Sequence, residues 1–313
     1  MTKCERGPVR AVALSAICAA LAGCGGGGTI VSSIPYEGPV TQADYVGKTF
    51  PVYFLVGEAG DRPGKVLAAK GTITYNTDDT VTVRLPGRAP VVFSPTATSG
   101  GVTSYEADGS GGLMRFAEVR DFSNPNTTAF RIVSSPPNPP PETFFLGGFG
   151  FETPAADRQP LPTATYNTAG AVFLTTPGSA DFLPVAGDGT LTANFGAGTI
   201  SGTLLTTDLF EVNLVGDPTT EDLLELTFLL QNGRITPSGF TGGVTATAQI
   251  NEDGGGPRLL TGTVSGGSAE GAFFGEEAAA VAGMFEGDLA LSDGGSPLVD
   301  FEAAGFVSGA KSP

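Results

Sequence analysis

Apolar and polar residues alternate along much of the second half of the chain, the spacing that puts one face of a β-strand in a core and the other in water. Leu191, Ala193 and Phe195 are apolar while Thr192 and Asn194 are polar, and after Gly196-Ala197-Gly198 the phase resumes with Ile200, Gly202 and Leu204. This predicts a hairpin. Leu224, Leu226, Phe228 and Leu230 share a face opposite Glu225 and Thr227, and Asn232-Gly233 reads as the turn that follows. Residues 240–250 give the longest run, with Phe240, Gly242, Val244, Ala246, Ala248 and Ile250 inward and Thr241, Thr245, Thr247 and Gln249 outward. Further strands are expected at 259–264, 270–274, 284–291 and 301–307. Small residues fall on their inward faces, at Gly242, Gly262, Ala272, Gly287 and Gly305. Small residues alternating with large ones fit the tight interior of a closed barrel, which also leaves no edge strand. The only helical pattern is a turn or two at 276–281.

The first half reads as short strands between turns. Residues 49–56 are β-branched and aromatic, 71–75 and 80–85 flank Asn76-Thr77-Asp78-Asp79 as a hairpin, and 91–93, 116–120 and 129–133 suit three more strands. Ser134-Ser135-Pro136-Pro137-Asn138-Pro139-Pro140-Pro141 interrupts this pattern, because prolines lack the N–H that a ladder needs. The expected class is therefore all-β, with an eight-stranded antiparallel barrel preceded by a smaller β-rich domain. The expected organisation is a β-rich domain at 34–135, a stiff Pro-rich linker at 136–141 and a barrel at 142–311. Phe144-Phe145-Leu146-Gly147-Gly148-Phe149-Gly150-Phe151 is read as the first strand of that barrel rather than as a sticky patch. A length of 313 residues with 40% hydrophobic residues is enough for two cores. Abundant glycine (47) and proline (24) are accounted for by tight turns.

The N-terminus has its own logic. Lys3, Arg6 and Arg10 precede an apolar run at 11–23 that is shorter than the roughly 20 residues a bilayer-spanning helix takes, so 1–23 reads as a signal peptide. Leu21-Ala22-Gly23-Cys24 resembles the lipobox of bacterial lipoproteins. That resemblance implies cleavage before Cys24, a diacylglyceryl group on its sulfur and an acylated amine, with palmitate as a label for the modification. Several acyl chains anchor firmly where one does not. Gly25-Gly26-Gly27-Gly28 follows, so 24–33 is read as the acylated cysteine and a flexible tether. Cys4 and Cys18 leave with the signal, and no disulfide is expected.

Charge and composition then exclude several classes. With 32 acidic and 16 basic residues the net charge is −16, which repels phosphate backbones and anionic lipid headgroups. No nucleic acid is expected as a partner, and membrane attachment is expected only through the lipid. Histidine is absent, which removes the usual general base, metal ligand and haem ligand. A nucleophile would need a Ser/Lys pair or paired carboxylates. Glu276-Glu277 and Glu221-Asp222 are read as solvated loop charges. Asp217, Glu221, Asp222, Glu252 and Asp253 lack the spacing of a calcium loop, and Gly254-Gly255-Gly256 lacks the Lys-Ser/Thr of a phosphate loop. The expectation is no enzyme, no catalytic, cofactor or metal residue, no cofactor, and lipidation at Cys24.

Three stretches of the second half resemble a family. Asp188-Gly189-Thr190-Leu191-Thr192-Ala193-Asn194-Phe195, followed by Gly198-Thr199-Ile200-Ser201-Gly202, is similar to the paired strands G-x-L-x-A-x-F and x-x-L-x-G of the transferrin-binding protein B β-barrel domain. Ala269-Glu270-Gly271-Ala272-Phe273-Phe274-Gly275-Glu276-Glu277-Ala278, with Val281-Ala282-Gly283-Met284-Phe285, resembles that family's G-x-F-[FY]-G-P-x-A-x-E-x-G-G-x-F signature. It departs at Glu276, where the family commonly has proline, and at Ala282, where it commonly has glycine. Residues 301–311 resemble its final strand, and the likeness covers about 144–311. The resemblance implies an eight-stranded barrel on a lipoprotein of the outer membrane of a Gram-negative bacterium, facing the periplasm or displayed at the cell surface, with a smaller handle domain in front. The expected function is binding of a protein or small solute through barrel loops, in nutrient or iron acquisition or host interaction. The alternative is a structural or assembly lipoprotein of the envelope without a small ligand.

Overall fold

A computed structural model describes residues 32–58, 65–99, 102–109, 112–120, 130–135, 143–180, 182–206, 210–212, 222–251 and 257–313. Cys24, the proline-rich stretch 136–141, Asp217, Glu221, Glu252, Asp253 and Gly254 to Gly256 lie outside them.

The first eight strands are β1 (Thr49–Glu58), β2 (Lys65–Tyr75), β3 (Val81–Arg84), β4 (Val91–Ser99), β5 (Val102–Gly109), β6 (Gly112–Arg120), β7 (Phe130–Ser135) and β8 (Thr143–Gly150). Each pairs antiparallel with the next, and β8 pairs back onto β1 through Tyr53↔Gly148 to Glu58↔Thr143, which closes an eight-stranded barrel. The sequence reading had anticipated only a smaller β-rich domain here. The strand 143–150 also pairs with β7, so it completes the first ring and does not open the second. Its alternating Phe and Gly residues place Phe145 and Phe149 in a packed interior with Phe50, Phe54, Ile73, Val81 and Phe93.

A connector carries one short helix, α1 (Ala155–Arg158), to the second unit. Its strands are β9 (Ala164–Thr175), β10 (Leu183–Asn194), β11 (Thr199–Thr206), β12 (Phe210–Val212), β13 (Asp222–Thr236), β14 (Gly239–Asn251), β15 (Pro257–Phe274), β16 (Ala280–Asp293) and β17 (Ser296–Lys311). β17 pairs with β9, and β11 pairs with β13, so eight strands curl into a second ring while β12 extends the ladder alongside β13. The hairpin of β10 and β11 and the alternation in β14 follow the sequence pattern.

Two of the register shifts overturn the sequence reading. Asn232-Gly233 is no hairpin turn: Asn232 takes φ 51° inside β13, the register shifts between Gln231 and Arg234, and the chain reverses at Pro237-Ser238. The second bulge lies at Gly266-Gly267 in β15, between the pairs Ser265↔Asp288 and Ser268↔Glu286. An extra residue swaps the faces of everything after it. Leu260 therefore points inward, but beyond the bulge Phe273 is inward and Ala272 and Phe274 face outward, opposite to the reading that put Ala272 inside.

Inside the second ring, bulky rings lie over glycines on the neighbouring strand. Phe240 pairs with Gly271 and Phe285 with Gly305, and a Cβ added at Gly305 would meet the Phe285 ring at 2.1 Å. This is the physical reason for the small-and-large alternation in the sequence.

The two barrels touch along their outer walls. Tyr53 and Leu55 of β1 and Val66 of β2 are buried against Phe173, Ala272, Phe274, Ala280, Ala282, Met284, Ala304 and Phe306. Lys70 of β2 pairs with Glu270 of β15 across this seam. An apolar contact of this kind makes the two lobes one packed body.

Candidate binding face

Strand direction sorts every connection to one of two ends. Connections 59–64, 85–90, 110–111 and 136–142 of the first barrel leave from one end of that ring, and 176–182, 207–221, 252–256 and 294–295 leave from one end of the second. These ends lie on the same side of the molecule, because Gly57 near the end of β1 abuts Phe182, which follows β9. This loop-bearing end is the candidate binding face. Its described residues are braced by Arg88 paired with Glu58 and by Arg258 Nη1 donating to Asp293 Oδ2 at 2.6 Å. Leu183 and Leu259 are exposed there, Leu259 at 76%. Connections 176–182, 207–221 and 252–256 contain Asp181, Asp208, Glu211, Asp217, Glu221, Glu252 and Asp253 and neither Lys nor Arg.

The opposite end carries connections 76–80, 100–101 and 121–129 of the first barrel, and its described residues are tightly packed. In the first barrel the segment 42–45 turns inward, and Tyr45 stacks 5.1 Å from both Phe50 and Phe151. In the second, the turns are short. Asn194 Oδ1 accepts from Ala197 N at 2.9 Å, and the buried Arg158 donates through Nη2 to the carbonyls of Thr236 and Pro237 at 3.0 and 2.6 Å.

Glu276-Glu277 falls at this end, in a tight turn at Glu276–Ala278 rather than on a strand. Glu277 and Ala278 take φ 50° and 57°, conformations that cost a non-glycine residue on the order of 1 kcal/mol each. Tyr166 OH donates to the Ala278 carbonyl at 2.8 Å and Lys311 Nζ to the Glu277 carbonyl at 3.4 Å, which hold the turn. The most specific motif in the sequence thus builds the floor of the second barrel. Of the other carboxylates singled out from the sequence, Asp222 opens β13 at the loop-bearing end. Among the described residues no group of three or more His, Cys, Asp or Glu is arranged to hold a metal ion, and no helix is long and apolar enough to cross a membrane.

Glu152 and Arg158 were not singled out from the sequence, yet they occupy the junction between the lobes. Burial pushes the Glu152 carboxyl up to about 7, against a hydrogen bond from Ser33 and the charges of Arg158 and Lys70, which pull it down. Burial likewise raises the hydroxyls of Tyr53 and Tyr166 above the usual phenol range. The only sequence signal was a charged residue next to Phe151 and Thr153-Pro154, where a strand gives way to a helix start.

Two closed antiparallel barrels packed side by side define a bilobal all-β protein. No protein-family profile and no curated protein matches the chain. Among solved structures it is similar to a double mutant of the vaccine antigen transferrin-binding protein B from Haemophilus parasuis Hp5, at 11% identity and TM-score 0.40, covering 90% of this chain and 78% of that one. It is also similar to intact Ap-TbpB with its N and C lobes, at 10% identity and TM-score 0.40, covering 89% and 78%.

Proposed function

We propose that this chain is a lipid-anchored protein of the bacterial outer membrane that presents the loop-bearing ends of its barrels to a protein or solute ligand. The observation that carries this reading is the opposition of entry and loops. Residues 34–36 run beside Glu152 at the end opposite the candidate face, so a tether from Cys24 reaches the body there, and the long connections of the second barrel leave from the far side. A ligand approaching from outside meets those connections first. Their acidic character, with no basic residue in three of them, favours a partner whose contact surface is positive. Sealed interiors filled by side chains favour binding by loops over binding inside a barrel.

The test has two arms. Wild type is expected to incorporate labelled palmitate and to sediment with outer membranes, and Cys24→Ala to do neither; a wild type that takes up no label refutes the anchor. Protease added to intact cells is expected to cut at 213–221 or 252–256 while the barrel strands survive. A purified body beginning after Cys24 is expected to retain a saturable partner, with capture lost when Glu221, Glu252 and Asp253 are changed together to Gln, Gln and Asn. The envelope-assembly reading is favoured if deletion of the protein makes cells leaky while no such partner is retained.

A further inference from the structure

The N-terminal segment crosses the end of the first barrel without filling the space beside it. Between residues 34–40 and the start of β1 lies a cleft of about 340 Å³, floored by Phe151 and walled by Ile34, Pro35, Pro39 and Val40. Three charged side chains also line it, Glu37, Asp44 and Lys48. A Cβ added at Gly38 would meet nothing within 4 Å, so the cleft is uncrowded on that side.

Two of the charges are held in place from behind. The Lys48 backbone is pinned on both sides, its N–H donating to Tyr45 O at 3.0 Å and its carbonyl accepting from Tyr75 N at 3.1 Å, and its Nζ lies 4.7 Å from the centre of the Phe151 ring. Asp44 Oδ2 accepts from Thr41 N and from Thr41 Oγ1, both at 2.7 Å, which holds its carboxyl below the ordinary carboxylate range. Among the described residues neither Lys48 nor Glu37 forms an ion pair, and Lys48 acts on Asp44 only from beyond ion-pair distance.

An ammonium on an aromatic floor, with two exposed carboxylates around it and no pair between them, selects ligands by charge. A bare anion that reaches Lys48 is repelled by Glu37 and Asp44, and a bare cation that reaches them is repelled by Lys48. A zwitterion whose charges lie a few bonds apart meets both signs at once. A primary ammonium suits its cationic end, because it donates hydrogen bonds to carboxylates. A trimethylated one has no N–H and takes an open aromatic face, and Lys48 already covers that of Phe151.

Position points to the source of the zwitterion. Ile34 follows Cys24 by ten residues, a contour of at most about 35 Å. An anchored chain therefore keeps the cleft within that distance of a dense layer of headgroups, where individually weak contacts are populated. We infer that this cleft takes the phosphoethanolamine headgroup of a membrane lipid, its phosphate on Lys48 and its ammonium between Glu37 and Asp44. The proximity of the lipid rests on the anchoring proposed above; the chemistry of the cleft does not. The acyl chains remain the anchor, and the headgroup orients the body, turning the end with residues 34–48 to the membrane and the loop-bearing end away from it.

The test uses the unacylated chain from Gly25 onward, which keeps every residue described above, so its outcome does not depend on Cys24. Glycerophosphoethanolamine is expected to shift the amide resonances of Gly38 and Lys48 saturably, and inorganic phosphate to bind at least about tenfold more weakly. Lys48→Gln and Glu37→Gln are each expected to weaken binding at least about fivefold, and Lys48→Arg to stay within about twofold of wild type. In flotation, phosphatidylcholine vesicles with about one third phosphatidylethanolamine are expected to carry at least about threefold more protein than phosphatidylcholine alone, a difference that Lys48→Gln removes. The absence of a saturable shift overturns the assignment, as does phosphate binding as tightly as glycerophosphoethanolamine, or unchanged binding in both Lys48→Gln and Glu37→Gln. Equal flotation on the two vesicle types while the soluble headgroup binds also overturns it, and makes the cleft a site for a free zwitterion. A wild type that takes up no palmitate refutes the anchor and leaves these readings untouched.

Discussion

Replacing Gly305 by alanine tests the ring-on-glycine packing of the second barrel. The new methyl would meet Phe285 Cε1 and Cζ at 2.1 Å and Cε2 at 2.8 Å. Carbon atoms settle near 3.5–4.0 Å, so the ring has to retreat by about 1.5 Å. It has little room, because Phe285 is buried and its centroid lies 5.0 Å from that of Phe228. Overpacking of this kind costs about 1–3 kcal/mol, and the backbone entropy saved by losing a glycine returns only about 0.5–1. A net loss of about 1–2 kcal/mol is expected for Gly305→Ala, read as a drop in urea midpoint by tyrosine fluorescence, the chain having 6 tyrosines and no tryptophan. Phe285→Leu shortens the ring and is expected to cost about 1–2 kcal/mol by itself through lost burial. The decisive reading is the double variant, in which the methyl fills space that the ring has vacated. Its loss is expected to fall short of the sum of the two single losses by at least about 1 kcal/mol. Strict additivity, or a Gly305→Ala protein as stable as wild type, refutes the seating of Phe285 on Gly305.

Two further outcomes follow from buried polar and interface positions. Thr168 is buried with its hydroxyl unpartnered beside a cavity of about 40 Å³ lined by Leu191, Leu204, Phe228 and Val307, so Thr168→Val is expected to raise stability by about 1 kcal/mol, seen as a higher Tm in calorimetry. Leu55→Asp puts a charge into the seam between the barrels, where Leu55 has no exposure, and is expected to cost about 3 kcal/mol or more and to split one cooperative unfolding transition into two.

How much of this was legible in the sequence depended on whether a strand kept its phase. β14 runs without a break and its inward set was read correctly, as was the hairpin of β10 and β11. β15 was not readable as one strand, because Gly266-Gly267 inserts an unpaired step that looks like a gap between two shorter runs. Asn232-Gly233 carries the composition of a turn, but Arg234 and Ile235 still pair with Thr241 and Phe240, and cross-strand partners override local preference. β5 escaped notice because only Tyr105 and Ala107 among its described side chains are buried. The aromatic stretch 144–151 was recognised as a strand, but which ring it joined depended on pairing with β1, almost a hundred residues away in sequence. The reading of Cys24 as the lipidated residue rests on local context alone, and Cys24 lies outside the described residues. The loop-bearing face was not legible, because it depends on how the two rings are placed side by side.

The way the chain enters its first barrel has a mechanical consequence. A pull on the N-terminus first meets the two hydrogen bonds that join Ile34 and Tyr36 to Glu152 and the packing of Ile34, Tyr36 and Val40 on the first-barrel core, contacts that peel one after another. Beyond Tyr45 the load passes to β1, whose first residue lies at that same end and whose ladder with β2 runs over ten residue pairs, from Thr49↔Thr74 to Glu58↔Lys65. Drawn along its own axis, β1 can leave only by shearing the whole ladder at once, with the bonds to β8 sharing the strain. The molecule is thus built to yield a few residues of slack under drag and then to hold.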